Sequence, residues 1–266
     1  MLCSEIKESD LPKYKEWQCQ EKKDGIRAIL EYNHGAIKIT NRRGVDITHR
    51  YPELKECITP CDKHFIFDGE IVAKSEVFTD VLTRDLNNNP GRISILAKCL
   101  PVKFCIFDCL EVDNNELRIC TYEERQSNIM ELRFFFGNNI KYIGSFNDPE
   151  NFFRIMKENK KEGIVLKRPG SIYHEGKRST DWLKVKCWKE SSIVFDGYEA
   201  NSAGITVTNK KGIRVLVAGS MHSKVKRLID ESGSAELTIQ YLSKASNGAL
   251  RMPTFKGITK EVEADK

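Results

Sequence analysis

Apolar positions along the chain gather in four runs, "GIRAILEY" (25–32), "HFIFDGEIVA" (64–73), "VKFCIFDCLEV" (102–112) and "EGIVLK" (162–167). Each is rich in β-branched or aromatic residues and bounded by Gly, Asp, Asn or Lys, which predicts strands. Two helices are predicted between them. "CTYEERQSNIMELRFF" (120–135) carries Thr121 and Glu124 at capping-box spacing, and "NDPENFFRIMKENKK" (147–161) has Asp148 as an N-cap followed by Pro149 at the first helical position. Strands with helices between them predict an α+β domain.

The pattern changes after "DWLKVKCWKESS" (181–192). From there short alternating strands follow, "SIVFDGYEA" (192–200), "GITVTN" (204–209), "GIRVLVAGS" (212–220) and "ELTIQYLS" (236–243), with one short basic helix around "SKVKRLID" (223–230). Short strands punctuated by Gly, Asn, Ser and Lys turns fit a small Greek-key barrel of the OB-fold type. The expected organisation is a larger α+β domain over residues 1–189 and a small OB-fold domain over 190–266, with no internal repeat.

Composition narrows the setting. With 266 residues, 40% hydrophobic and 30% charged, the chain can bury a sizeable core, and its net charge of +5 suits a polyanionic partner as well as an ordinary soluble surface. Nine cysteines lie scattered between Cys3 and Cys187 without a CxxC pair, beside only five histidines, which supports neither a disulfide framework nor a zinc site. So many unpaired thiols point to a reducing cytoplasm. The first residues are charged and lack an apolar signal core, and no later stretch is long enough to span a membrane, so a soluble protein that is not exported is expected.

The candidate chemistry starts at "CQEKKDGIRAIL" (19–30), where two lysines, an aspartate and a glycine stand before a strand. A lysine attacks phosphorus only as the free amine, and an unperturbed lysine, with a pKa of about 10.4, is almost fully protonated at neutral pH. Partial burial, or a neighbouring cation such as Lys23 or Arg27, would depress that pKa, whereas Asp24 would oppose the change. By itself the segment also fits a solvated turn at a strand entrance.

The ordered series is more informative: "KKDGIR" (22–27), "NRRG" (41–44), "FDGEIV" (67–72), "FCIFD" (104–108), "EGIVLK" (162–167) and "DWLKVK" (181–186). It resembles the covalent lysyl-nucleotide transferases, specifically the ATP-dependent DNA ligases, over nearly the whole chain. Single members of the series are weak signals. The family pattern K-x-D-G-x-R falls on Lys22, Asp24, Gly25 and Arg27, with Lys23 one position out of register. The resemblance implies that Lys22 attacks the α-phosphate of ATP to give a lysyl-adenylate. AMP then passes to the 5′-phosphate of a nick in duplex DNA, and the 3′-hydroxyl displaces it, the reaction of DNA repair and replication. It further implies that Arg27 and Arg42 contact the nucleotide and the nick phosphate, that Glu70 contacts ribose, and that Phe107 stacks on adenine. Glu162 is implied as the acid near a Mg²⁺ or Mn²⁺ ion, Arg178 as a nucleotide contact, and Lys184 and Lys186, on one strand face, as α-phosphate contacts.

Taken singly, Phe107 also fits a core strand, Glu70 and Glu162 solvated strand ends, Lys184 and Lys186 an ordinary polar face, and Arg178 a basic surface loop. Two departures from the family stand out. The glutamate that many members carry two positions before the lysine is Gln20 here, whose amide oxygen can accept the same adenine contact, with Glu21 beside it. The closing R-x-D-K of the family is replaced by "TKEVEADK" (259–266), where Lys260 is a candidate for orienting pyrophosphate.

With Lys22 so near the start, a minimal two-domain, monomeric ligase of viral, phage, bacterial or archaeal type is expected. It would grip DNA through "HEGKRS" (174–179), "NKKGIR" (209–214) or "HSKVKR" (222–227), with Lys224, Lys226 and Arg227 as the foremost candidates. An RNA ligase is the main alternative, followed by a capping guanylyltransferase and a non-catalytic nucleic-acid-binding barrel.

Overall fold

A computed structural model describes residues 1–245 and 248–259. The chain divides into two compact units, Met1–Lys186 and Cys187–Lys266. In the first unit the strands run β1 (Leu2–Glu5), β2 (Gln18–Glu21), β3 (Ile26–Asn33), β4 (Ala36–Asn41), β5 (His64–Ala73), β6 (Val102–Val112), β7 (Asn115–Glu116), β8 (Ile140–Tyr142), β9 (Gly163–Lys167) and β10 (Arg178–Lys186). They form two sheets. One has the order β1-β10-β9-β2, the other β4-β3-β5-β6-β7 with β8 alongside β6.

The strands expected at 64–73 and 102–112 occur with those limits, because each alternates a core face with a second, partly polar face. Leu30, Phe65, Phe67, Phe104 and Ile106 pack with Ile129 and Leu132 of the helix Tyr122–Leu132 in the main core. Residues of the opposite parity, Ile29, Ile66 and Phe107, pack against a second cluster made by Met1, Leu110, Tyr173 and Trp182.

Four α-helices occupy this unit where the sequence pattern predicts two: α1 (Phe78–Asp85), α2 (Pro90–Cys99), α3 (Tyr122–Leu132) and α4 (Pro149–Glu158). The capping box of Thr121 and Glu124 forms at α3, and the Asp148 carboxylate caps α4 by accepting from the Asn151 N–H. The two helices absent from the prediction are short and bury few residues: α2 only Ile93, and α1 Val81 and Arg84, with Phe78 packed partly buried against the main core. A charged group also anchors α1: the Arg84 guanidinium, 1% exposed, donates to both Glu53 carboxylate oxygens and to the Arg50 and Leu100 carbonyls. The readable signal for α2 was Asn89 before Pro90, an N-cap with proline at the first position.

The second unit contains β11 (Lys189–Phe195), β12 (Gly197–Asn201), β13 (Gly204–Thr208), β14 (Arg214–Ala218), α5 (Met221–Ser232), β15 (Ala235–Tyr241), β16 (Ser243–Lys244), β17 (Leu250–Arg251) and β18 (Thr254–Ile258). Its sheets have the orders β12-β13-β14 and β11-β15-β18, with β16 paired to β17. Phe195, Val207, Val217 and Leu237 enclose a core against Val225 and Ile229 of α5. Among the described residues no helix is long and apolar enough to cross a membrane.

Candidate active site

Between the two sheets of the first unit lies a cavity of about 230 Å³. Register explains its floor. Gln20 pairs with Val165 and Val165 with Lys184, while the Lys22 N–H donates to the Gly163 carbonyl at 2.9 Å and Gly163 pairs with Lys186. Gln20, Lys22, Val165, Lys167, Trp182, Lys184 and Lys186 therefore share one sheet face by two-residue periodicity. Gly163 is required there: its φ is +151°, and a Cβ would stand 2.0 Å from the Val185 carbonyl oxygen. Gly25 is required for a similar reason, because a Cβ on it would lie 2.1 Å from the Ile71 carbonyl oxygen, and this close approach turns the chain from Lys22 into β3.

The opposite wall comes from the second sheet, with Arg27 on β3, Glu70 on β5 and Phe107 on β6. Gln20, Glu21, Lys22, Arg27, Arg42, Glu70, Phe107, Arg178 and Lys184 all line this one cavity although they come from six separate stretches of sequence. Of the remaining candidates in this unit, Glu162 reaches Lys22, Lys186 shares a partner with Lys184, and Asp24 sits in the turn after Lys22 and acts on its charge. Arg42 is exposed in the turn after β4, where the cavity meets two neighbouring grooves. Lys224, Lys226 and Arg227 lie on α5 of the second unit, and Lys226 is ion-paired to Asp230 at 2.7 Å. Lys260 lies outside the described residues.

The electrostatics of Lys22 correct the sequence expectation. Burial pulls its ammonium pKa down, but Glu162, Glu70 and Asp24 outweigh burial and hold it above the ordinary lysine value. Lys22 Nζ stands 2.8 Å from Glu162 Oε1. The two cations expected to depress it are occupied elsewhere: Lys23 pairs with Glu21 at 2.5 Å, and Arg27 pairs with Asp68, its Nε 3.0 Å from Oδ1 and its Nη2 2.6 Å from Oδ2. The resting side chain is an ammonium held by carboxylates. Glu70 behaves oppositely. Burial pushes it up to about 8, with Glu162 and Asp68 adding to burial against Lys22 and Arg27.

Ion pairs saturate the cationic end of the cavity. Lys184 and Lys186 both reach Glu5 Oε2 at 3.3 Å, and Arg178 donates to the Cys3 carbonyl. Arg27, besides Asp68, donates to the Met1 carbonyl at 2.5 Å and lies 5.4 Å from the centroid of the Phe107 ring. Phe107 presents its ring to the cavity and meets Trp182 edge-on at 5.9 Å.

Several residues in and behind the cavity wall carried no assignment in the sequence reading. Lys167, 1% exposed, donates to the Phe107 carbonyl at 2.5 Å, lies 4.2 Å from the Trp182 ring and is lowered to about 8 by burial, against Asp108. Asp68 is fully buried and holds Arg27 and the Tyr173 hydroxyl. Both sit inside quoted motifs, "EGIVLK" and "FDGEIV", so position within the series was the available signal. Leu2, Cys3 and Ile143 also line the cavity, and nothing in their local sequence announces it.

Comparison with known proteins places these features in a family context. Residues 1–186 match the family model described as the ATP dependent DNA ligase domain. The bifunctional non-homologous end joining protein LigD of Bacillus subtilis is 27% identical over 282 aligned positions, which cover 91% of this chain and 46% of that protein. The SPbeta prophage-derived DNA ligase-like protein LigB of Bacillus subtilis is 27% identical, covering 88% of this chain and 89% of its own. Among solved structures, mycobacterial DNA ligase D complexed with ATP and MES superposes with a TM-score of 0.61 at 21% identity, covering 97% of this chain and 93% of that one. A Lig E DNA ligase gives 0.65 at 18% identity, covering 92% and 93%. These structural likenesses speak to fold. The chain spans less than half the length of the LigD proteins it matches, 46% in Bacillus subtilis and 26% in Mycolicibacterium smegmatis.

Proposed function

The chain belongs to the ATP dependent DNA ligase domain family, and from that membership we propose that it joins 5′-phosphate and 3′-hydroxyl ends at nicks in duplex DNA through a lysyl-AMP intermediate. The observation that carries this reading is Lys22, in register with K-x-D-G-x-R, standing in a cavity beside Glu162 and opposite Phe107.

In the first step the Lys22 ammonium gives up a proton to solvent, its nitrogen lone pair attacks the α-phosphorus of ATP, and the bond to pyrophosphate breaks as the phosphorus–nitrogen bond forms. The 5′-phosphate oxygen of the nick then attacks that phosphorus and releases Lys22. Finally the 3′-hydroxyl attacks the phosphorus of the adenylated end and AMP leaves. Positioning and charge neutralisation do most of the work in such transfers. Phe107 offers a stacking face for the base, Glu70 a ribose contact, and Lys184, Lys186, Arg27 and Arg178 charge for phosphate. Each of these cations already has a carboxylate or carbonyl partner, so the triphosphate must exchange with partners that are already in place.

Glu162 and Asp24 act on the Lys22 ammonium with Glu70 beside them, and these hard oxygen donors fit a divalent cation. Such an ion takes much of its coordination from substrate phosphates and water, consistent with the lack, among the described residues, of a ready cluster of three or more metal-ligating side chains. Glu162 would hold Mg²⁺ or Mn²⁺, which when bound neutralises phosphate charge. In the second unit, β11 and β12 continue one another, β12, β13 and β14 form a meander, α5 links β14 to β15, and β14 runs beside β18. That order supports an OB-type barrel, whose α5 lysines and Arg227 would contact DNA phosphates.

Incubation with α-labelled ATP and magnesium should label the protein covalently, and the label should pass to nicked DNA. Transfer to nicked RNA in preference to DNA would favour an RNA ligase, and labelling by GTP alone a capping enzyme.

A further inference from the structure

The Gln20 side chain is 1% exposed, lines the cavity, and has its two amide ends in very different circumstances. Its Nε2 faces three acceptors, the Ile143 carbonyl at 2.9 Å, Gln126 Oε1 at 3.2 Å and Ser145 Oγ at 3.3 Å. Its Oε1 is equally buried and has no hydrogen-bond partner in the protein. A buried acceptor left in that state is costly and calls for a donor.

Two backbone carbonyls, which can only accept, settle which end of each amide points where. The Phe107 carbonyl accepts from Gln126 Nε2 at 3.2 Å. Gln126 Oε1 must therefore occupy the other end, where it accepts from the Tyr142 hydroxyl at 3.2 Å and from Gln20 Nε2. The Ile143 carbonyl constrains Gln20 directly in the same sense. If the Gln20 amide were reversed, its oxygen would face two acceptors, Ile143 O and Gln126 Oε1. Ser145 is fixed in turn by the Tyr122 hydroxyl at 2.5 Å.

Resting on the reading of this cavity as the nucleotide site, we infer that Gln126 is a positioning residue. Together with the Ile143 carbonyl it holds the Gln20 amide oxygen toward the cavity, so that the site selects a purine carrying a 6-amino group over one carrying a 6-oxo group. The amino N–H would satisfy Gln20 Oε1, whereas a 6-oxo group would set one lone pair against another. An amide has one accepting end, which is why Gln126 matters in this chain.

The test compares ATP with ITP, whose bases differ at the 6-position, in the wild-type protein, Gln126→Leu, Gln20→Leu and the double variant. Each is read as covalent nucleotide formed over a range of concentrations and as equilibrium binding, so that a variant slow in chemistry still reports. Gln126→Leu is expected to lower the preference for ATP over ITP by about two- to tenfold, mainly through KM or Kd, because the Ile143 carbonyl alone then orients the amide. Gln20→Leu removes the acceptor itself and should lose at least as much of the preference, and adding Gln126→Leu to it should cost nothing further. A Gln126→Leu protein with wild-type preference, or a double variant clearly less selective than Gln20→Leu alone, overturns the inference. A wild-type protein that binds ATP over ITP yet forms no covalent adenylate would sink the proposed reaction while supporting the inference about base selection.

Discussion

The two ends of the cavity are built on opposite principles. Around Gln20, neutral hydrogen bonds run from Tyr142 and Gln20 to Gln126 and from Gln126 to the Phe107 carbonyl, and Phe107 itself packs edge-on against Trp182. Around Lys22, charges are paired with charges: Lys22 with Glu162, Lys23 with Glu21, and Lys184 and Lys186 with Glu5. The first arrangement leaves one buried acceptor without a partner, and the second is self-satisfied. On the proposed function, recognition of the base would be oriented in advance by neutral hydrogen bonds, whereas capture of the phosphates would be an exchange of counterions.

The largest effect is expected at the nucleophile. Lys22→Ala should reduce covalent adenylate to background, while Lys23→Ala, which loses only its pair with Glu21, keeps it within a few-fold; gel detection of label on each variant checks this. A label persisting on Lys22→Ala protein would remove the basis for distinguishing the two ends. At the base end, Phe107→Ala should raise KM for ATP by about 10- to 100-fold, the scale of one base–aromatic stack, with a smaller change in kcat. A Phe107→Ala enzyme with unchanged KM would mean that the ring is core and not platform.

Glu5→Gln tests the exchange of counterions. With the competing carboxylate neutralised, Lys184 and Lys186 should bind phosphate more readily, tightening equilibrium binding of ATP by about twofold to fivefold, as befits a partly exposed pair. Weaker binding would show that Glu5 serves to position the lysines.

The smallest effect concerns stability. Glu70 titrates at about 8 in the folded protein against an ordinary 4.5, so the folded state keeps a proton that the unfolded state has lost between those values. The stability linked to that proton is fully present below about pH 4.5 and is lost as pH rises through about 8. Glu70→Gln should therefore leave Tm nearly unchanged at pH 5 and raise it by several degrees at pH 8.5, as read by thermal melts at the two pH values. An equal shift at both would assign the effect to packing.

Much of this molecule was legible in its sequence, and for a definite reason. Strands such as His64–Ala73 and Val102–Val112 announce themselves because largely buried strands favour β-branched and aromatic residues between polar or glycine boundaries, and α3 and α4 because their first turns carry side chains that satisfy free N–H groups. Lys22, Glu70, Phe107, Glu162 and Lys184 could be singled out only through the ordered series of motifs and its resemblance to a family, since each motif alone is a weak signal.

Tertiary structure alone decided the rest. α1 is only 8 residues long, so its Phe78 and Val81 stripe is too short to read as a helix, and the buried Arg84 guanidinium that anchors it meets Glu53 only in the fold. The protonation of Lys22 depends on which carboxylates approach it through space. Glu162 lies 140 residues downstream of Lys22, and the nearby Lys23 is neutralised by Glu21. The direction of the Gln20 amide is likewise set by carbonyls at positions 107 and 143, through a glutamine on α3 that the sequence presents as an ordinary polar helix residue. Local sequence encodes periodicity and capping because these act over a few residues, whereas charge state and amide orientation depend on the fields and lone pairs of groups that only folding brings within 3 to 4 Å, roughly hydrogen-bond and ion-pair range.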